Sequence, residues 1–326
     1  MKITMAHGSG GRATSRLIAD VFAKHFGNAI LNAMEDSAVV DAGGRIAVTT
    51  DSFVVEPLFF AGGDIGKLAV CGTVNDLLMS GAAPKYLTCG FILEEGLEIE
   101  ALDNIALSMK RAADEAGVCI VAGDTKVVGG SGGLYINTTG IGLMTEGRWV
   151  SPKRCQEGDV IIASGTMGDH HAAILSARMS IQNTIASDCA PLGQLTQALF
   201  EGGIDVVAMR DITRGGLATI LNEFAAACGR GIEIEENQVP VDAQVAALCG
   251  ILGLDPLYMG NEGKLAAVVH ERCAQKAVEL LRAQPYGKNA AIIGRVTQDG
   301  GVVLRTKLGG KRILDVLYGE GLPRIC

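Results

Sequence analysis

Gly62-Gly63-Asp64-Ile65-Gly66-Lys67-Leu68-Ala69-Val70-Cys71-Gly72-Thr73-Val74-Asn75-Asp76-Leu77-Leu78-Met79-Ser80-Gly81 separates this chain from the common nucleotide-binding folds. Residues 65–80 read as a helix: Gly81 closes the run and Pro84 lies beyond it. The glycine-rich entry at 62–67 puts backbone N–H groups and a positive helix end where an anion could sit. Lys67 is followed by Leu68, so the spacing is not that of a Walker A loop, and no G-x-G-x-x-G follows a strand. A nucleotide site here is neither P-loop nor Rossmann.

Outward from that helix, strands and helices alternate. A buried strand at 45–50 ends in Asp51-Ser52. Residues 98–116 read as a second long helix with Leu102, Ile105, Ala106 and Met109 on one face and Gly117 as its cap. Strand 118–122 is expected to run into Gly123-Asp124-Thr125-Lys126, followed by the glycine cluster at 129–133 and a strand at 134–143. Residues 12–26 read as one helix. The pattern breaks at Ser151-Pro152, which places a boundary there. In the second half, strands are expected at 159–164, 231–235, 265–270, 290–296 and 301–305, with helices at 214–228 and 271–283. The result is a two-domain α/β (α+β) protein, 1–150 and 151–315, followed by a mobile tail at 316–326.

Composition excludes several functions. A net charge of −8 disfavours nucleic acid and anionic membranes as partners. The start is polar and Gly-rich, unlike a secretion signal, and no apolar run is long enough to span a bilayer. Nine cysteines, an odd number without a C-x-x-C pair, suit reduced thiols and a cytoplasmic location. With 44 glycines in 326 residues, many backbone positions need unusual angles or close approach.

The residues that suggest chemistry are carboxylates beside small residues. Asp36, Asp51, Asp76 and Asp124 suit Mg²⁺ holding a polyphosphate, although each alone also fits a helix cap or a surface charge. His7-Gly8-Ser9-Gly10-Gly11-Arg12 and Asp211-Ile212-Thr213-Arg214-Gly215-Gly216 repeat the pattern of a glycine-rich turn before a helix. His170-His171 lacks a third ligand at zinc spacing and reads as structural. Cys326 ends a Gly- and Pro-containing arm that could carry a nucleophile between two sites.

HGSGG, TDS, GGDIGKLAVCGTVNDL, GDTKVV, SGTMGDH, DITRGG, NEGK and the terminal PRIC together resemble the HypE family of hydrogenase maturation proteins. That family is part of the PurM-like ATP-binding superfamily, and the match runs along essentially the whole chain. His171 stands where the family commonly has Gly. The resemblance implies an N-terminal β-rich domain that binds ATP and forms the homodimer. It also implies that Cys326 accepts a carbamoyl group from the carbamoyltransferase HypF. An ATP-driven dehydration to thiocyanate would follow, and the cyano group would pass to iron on a HypC–HypD complex. On this reading Asp36, Asp51, Asp76 and Asp124 hold metal, with Asp76 also catalytic. Ser52, Lys67, Asn75, Gly123, Thr213 and Arg214 join those aspartates around ATP. Lys126 neutralises transferring charge and Glu262 is the general base. Selenophosphate synthetases are disfavoured because HGSGG has no cysteine and the first is Cys71. A thiamine-phosphate kinase has no use for a terminal thiol, and a pure carrier none for the acidic set.

Overall fold

The computed structural model describes residues 2–8, 12–33 and 43–316. Asp36 and Cys326, and with it the tail from 317 onward, lie outside the described residues.

The first half holds β1 (Ile46–Phe53), a two-stranded hairpin of β2 (Phe59–Phe60) and β3 (Gly63–Asp64), then β4 (Ala82–Glu94), β5 (Cys119–Val128) and β6 (Leu134–Met144). The long strands form a sheet in the order β1-β6-β4-β5, parallel only between β4 and β5. One face is covered by helices Ile65–Met79 and Ile99–Ala116. The first of these starts because Asp64, extended at φ −151°, accepts the Gly66 and Lys67 N–H groups at 2.7 and 3.0 Å. It is buried nearly all round, as a central helix must be. Ile99–Ala116 is amphipathic, with Leu102, Ile105, Ala106 and Met109 inward, and it ends at Gly117 with φ +69°.

The second half adds β7 (Val160–Ala163), β8 (Val206–Asp211), β9 (Gly231–Glu235), β10 (Leu265–Val269), β11 (Ala291–Thr297), β12 (Gly301–Arg305) and β13 (Lys311–Ile313). Their sheet runs β13-β12-β9-β11-β7-β10-β8. One hydrophobic core crosses between the halves: Leu68, Val70 and Met79 belong to the same buried cluster as Val160, Ile162, Leu192 and Leu265.

Four expectations need correction. Asp51 and the Gly123–Lys126 quartet lie inside strands, because backbone pairing continues through them. Residues 12–26 are not one regular helix, since a π-type stretch at Ile18–Ala23 separates Arg12–Leu17 from Lys24–Phe26. Helices Asp169–Arg178, Gly193–Glu201 and Ala243–Leu252 and strand Val206–Asp211 join the elements read from sequence. The glycine entry at 62–67 is not an open cradle, because Asp64 already takes two of its N–H groups.

Candidate active site

The acidic cluster forms where the two halves meet. Asp51 points from the helix-covered face of β1. On the same face, Thr49 donates from Oγ1 to Asp76 Oδ2 at 2.9 Å, which ties the strand to the central helix. Asp211 ends β8 and is buried. Burial first, then the neighbouring Asp76, pushes the Asp211 carboxyl up to about 7. Burial also raises Asp76, with a further push from Asp51 against the opposing effects of Thr49 and Arg210. Arg214 lies 3.8 Å from Asp51. Among the described residues no three His, Cys, Asp or Glu side chains already close on one ion. Hard, mutually repelling carboxylates still fit Mg²⁺, which takes few protein ligands and fills its shell with phosphate oxygens and water.

Glu262 sits in the turn Asn261-Glu262-Gly263-Lys264, just before β10. Burial pushes its carboxyl well above the usual range, and Cys189, Asp211, Asp188 and Asp51 add to the effect. Those acidic neighbours tie Glu262 electrostatically to the Asp51–Asp76–Asp211 cluster. Asn261 fixes the turn to its surroundings: its N–H donates to the Ile212 carbonyl at 2.8 Å, and its Oδ1 accepts from Gly168 N at 2.8 Å.

Asp124 and Lys126 stand elsewhere. They pair with each other at 2.9 Å and are largely exposed. The register row Ser52–Asn137–Gly90–Asp124 puts Asp124 three strands from β1, roughly 14 Å at about 4.8 Å per strand. Strand alternation then aims Asp124 and Lys126 at the open face, whereas Asp51 faces the helices. Within one chain, therefore, Asp124 does not join Asp51 and Asp76 in a metal set.

The remaining expected residues have varied surroundings. Ser52 is exposed and its Oγ accepts from Asn137 at 2.9 Å. Gly123 is exposed on the far edge strand. Thr213 and Arg214 lie in the turn after β8, whose Gly215 and Gly216 take φ of +73° and +62°. Lys67 folds back to the Gly62 carbonyl at 3.1 Å. Asn75 is committed to the fold. Its Nδ2 donates to the Ala190 carbonyl at 3.1 Å and the Glu262 carbonyl at 3.5 Å, and its Oδ1 accepts from Leu192 N at 2.9 Å. His171 is buried on helix Asp169–Arg178 with its N–H on the Gly260 carbonyl, so it shapes a helix rather than a loop.

Sequence reading missed two residues. Asp211 reads from sequence as the start of a glycine-rich turn, whereas strand Val206–Asp211 buries it beside Asp76. Asp188 carried no local signal; its partners on the Glu262 turn are 74–76 residues away in sequence.

Comparison with known proteins agrees with this architecture. Residues 34–144 match the N-terminal domain of AIR synthase related proteins, and 156–307 match their C-terminal domain. The chain is 47% identical to carbamoyl dehydratase HypE of Rhodobacter capsulatus, covering 100% of this chain and 98% of that one. A crystal structure of hydrogenase maturation protein HypE in complex with ATP superposes with a TM-score of 0.95 at 48% identity, covering 99% of both chains. The HypE subunit of a HypE–HypF complex gives 0.81 at 49% identity, over 92% of this chain and 99% of that one. The chain therefore belongs to the AIR synthase related proteins and, among them, to the HypE carbamoyl dehydratase family.

Proposed function

We propose that this chain uses ATP to dehydrate an S-carbamoyl group on Cys326 to a thiocyanate, which supplies the cyano ligand for [NiFe] hydrogenase iron. The observation that carries this reading is the proximity of Glu262, a carboxyl held well above its usual range, to the acidic cluster of Asp51, Asp76 and Asp211.

A carboxamide oxygen leaves readily only after it has taken a phosphoryl group. Asp51, Asp76 and Asp211 would hold Mg²⁺ with the triphosphate, and Arg214 adds positive charge beside them. When bound, the ion neutralises charge on the phosphate oxygens. Glu262 takes a proton from the amide nitrogen as the amide oxygen attacks the γ-phosphorus and ADP departs. The departing inorganic phosphate takes the second nitrogen proton with the former amide oxygen, and carbon and nitrogen remain triple-bonded. A carboxyl with a raised pKa is a stronger base than an exposed one. Asp36, Gly123 and Thr213 keep the nucleotide contacts that the family resemblance gives them.

Residues 1–150 form the ATP-binding and dimerisation domain in this proposal, 151–315 the second domain, and 316–326 the arm that carries Cys326. The homodimer forms through the open sheet face, where Val48, Ile92, Val128 and Tyr135 are exposed. A second copy would bring Asp124 and Lys126 to the site around the β1 edge of that sheet. A carbamoyltransferase of the HypF type loads Cys326, and a HypC–HypD complex takes the cyano group, in the cytoplasm. Among the described residues no helix is long and apolar enough to cross a membrane.

The test is mass spectrometry of the C-terminal peptide after incubation with HypF, a carbamoyl donor and ATP. Wild type gains one carbamoyl group and then loses one water. Cys326→Ala gains neither, and Glu262→Gln reaches the carbamoyl stage and then loses water roughly 10³-fold more slowly than wild type. Full labelling of Cys326→Ala, or unimpaired water loss in Glu262→Gln, overturns the assignment.

A further inference from the structure

Besides the bonds made by Asn261, the turn that carries Glu262 gives three of its donors to one carboxylate from a distant loop. Asp188 Oδ1 accepts the Glu262 N–H at 3.1 Å. Its Oδ2 accepts the Gly263 N–H at 3.2 Å and the Lys264 ammonium at 3.1 Å. Three consecutive residues thus converge on one side chain that is only 3% exposed. The approach is tight, since a Cβ on Gly263 would meet the Asp188 carbonyl oxygen at 1.8 Å.

Asp188 is itself firmly mounted. The preceding Ser187 donates its N–H to the Ala61 carbonyl at 2.7 Å, and its Oγ pairs with His170 Nδ1 at 2.7 Å. The same Oγ accepts the Cys189 N–H at 3.1 Å. Gly62, at φ +93°, packs so closely that a Cβ there would meet the Ser187 carbonyl oxygen at 2.5 Å. Asn75 then ties Ala190 and Leu192 to the central helix. The loop at 187–192 is fixed to the first half and to helix Asp169–Arg178 before it reaches the Glu262 turn. Hydrogen-bonded charge partners of this kind orient a functional group without touching the substrate.

We propose that Asp188 is a positioning residue for the dehydration, holding the backbone of residues 262–264 so that the Glu262 carboxyl stays beside the Asp51–Asp76–Asp211 cluster. The proposal rests on the reading of Glu262 as the base. Lys264 supports it by balancing the Asp188 charge, with Asp169 as a second carboxylate 4.0 Å away.

The test is a double-mutant cycle between Asp188→Asn and Glu262→Gln in the full-length protein, carbamoylated by HypF. It follows single-turnover water loss from the C-terminal peptide and the KM for ATP. Asn keeps one acceptor but turns an amide NH₂ toward the Gly263 N–H and the lysine, which releases the turn. Displacement on the scale of 1 Å lowers rates by roughly 10²-fold. The expected result is that kcat falls by about that factor in Asp188→Asn while KM for ATP holds. In the Glu262→Gln background the same change adds no further loss. A merely structural role would instead lower activity in both backgrounds and move KM. An additive loss, or normal kcat in Asp188→Asn, overturns the positioning role and leaves the base assignment standing. Full activity of Glu262→Gln overturns both. Should Asp188→Asn not fold, Asp188→Glu keeps the charge for Lys264 and extends the arm by about 1.5 Å. The same cycle and the same outcomes then apply.

Discussion

Asn75→Ala separates a structural from a nucleotide-binding role for a residue that the sequence places at the ATP site. Asn75 is only 2% exposed, and both ends of its amide are used. Truncation strips the Leu192 N–H and the Ala190 carbonyl of this partner, whereas the Glu262 carbonyl keeps the Ala190 N–H at 3.4 Å. Two buried groups left unsatisfied, at about 1–3 kcal/mol each, predict a loss of about 2–6 kcal/mol. Equilibrium urea unfolding measures it, and isothermal titration with ATP below the unfolding transition measures affinity in parallel. The prediction is a large stability loss with ATP affinity nearly unchanged in the folded protein. A stability loss below about 0.5 kcal/mol together with collapsed ATP affinity would refute the reasoning and return Asn75 to the nucleotide.

Burial lowers His170 and His171 to about 4 from an ordinary 6.5. The unfolded chain binds more protons between those values, so stability is full above pH 6.5 and falls toward pH 4, by up to about 1.4 kcal/mol per pH unit per histidine. His171→Gln should flatten that slope in urea titrations run from pH 4.5 to 7.5, and an unchanged slope would exclude its share. Mixing Lys126→Ala with Glu262→Gln subunits tests action across the dimer. Random exchange should restore about a quarter of wild-type sites if Lys126 serves its partner, and none if it serves its own chain.

Much of the fold was legible because its helices announce their ends. Gly117 takes the left-handed angle that a cap requires, and the inward face of Ile99–Ala116 follows its apolar spacing. Helix Ala243–Leu252 carries apolar residues nearly all round, so it offered no face to read. The sequence groups Asp51 with Asp76, and the fold brings their carboxylates close enough to repel each other. Asp124 was grouped with them because proximity to a glycine says nothing about which face of a sheet a side chain takes. Glu262 was legible through the NEGK motif. The loop that holds it was not, because its bonds run to backbone groups far along the chain.

The continuous core has a consequence for how this molecule comes apart. The family models meet near residue 150, so the chain carries two separately matched units. The central helix, however, buries Leu68 and Val70 in one cluster with Val160 and Leu265. Cutting the gene at that seam would leave each product with a raw apolar wall. The seam between the two matched units is thus not a place where the polypeptide can be divided. Unfolding should cross it in a single cooperative step rather than in two.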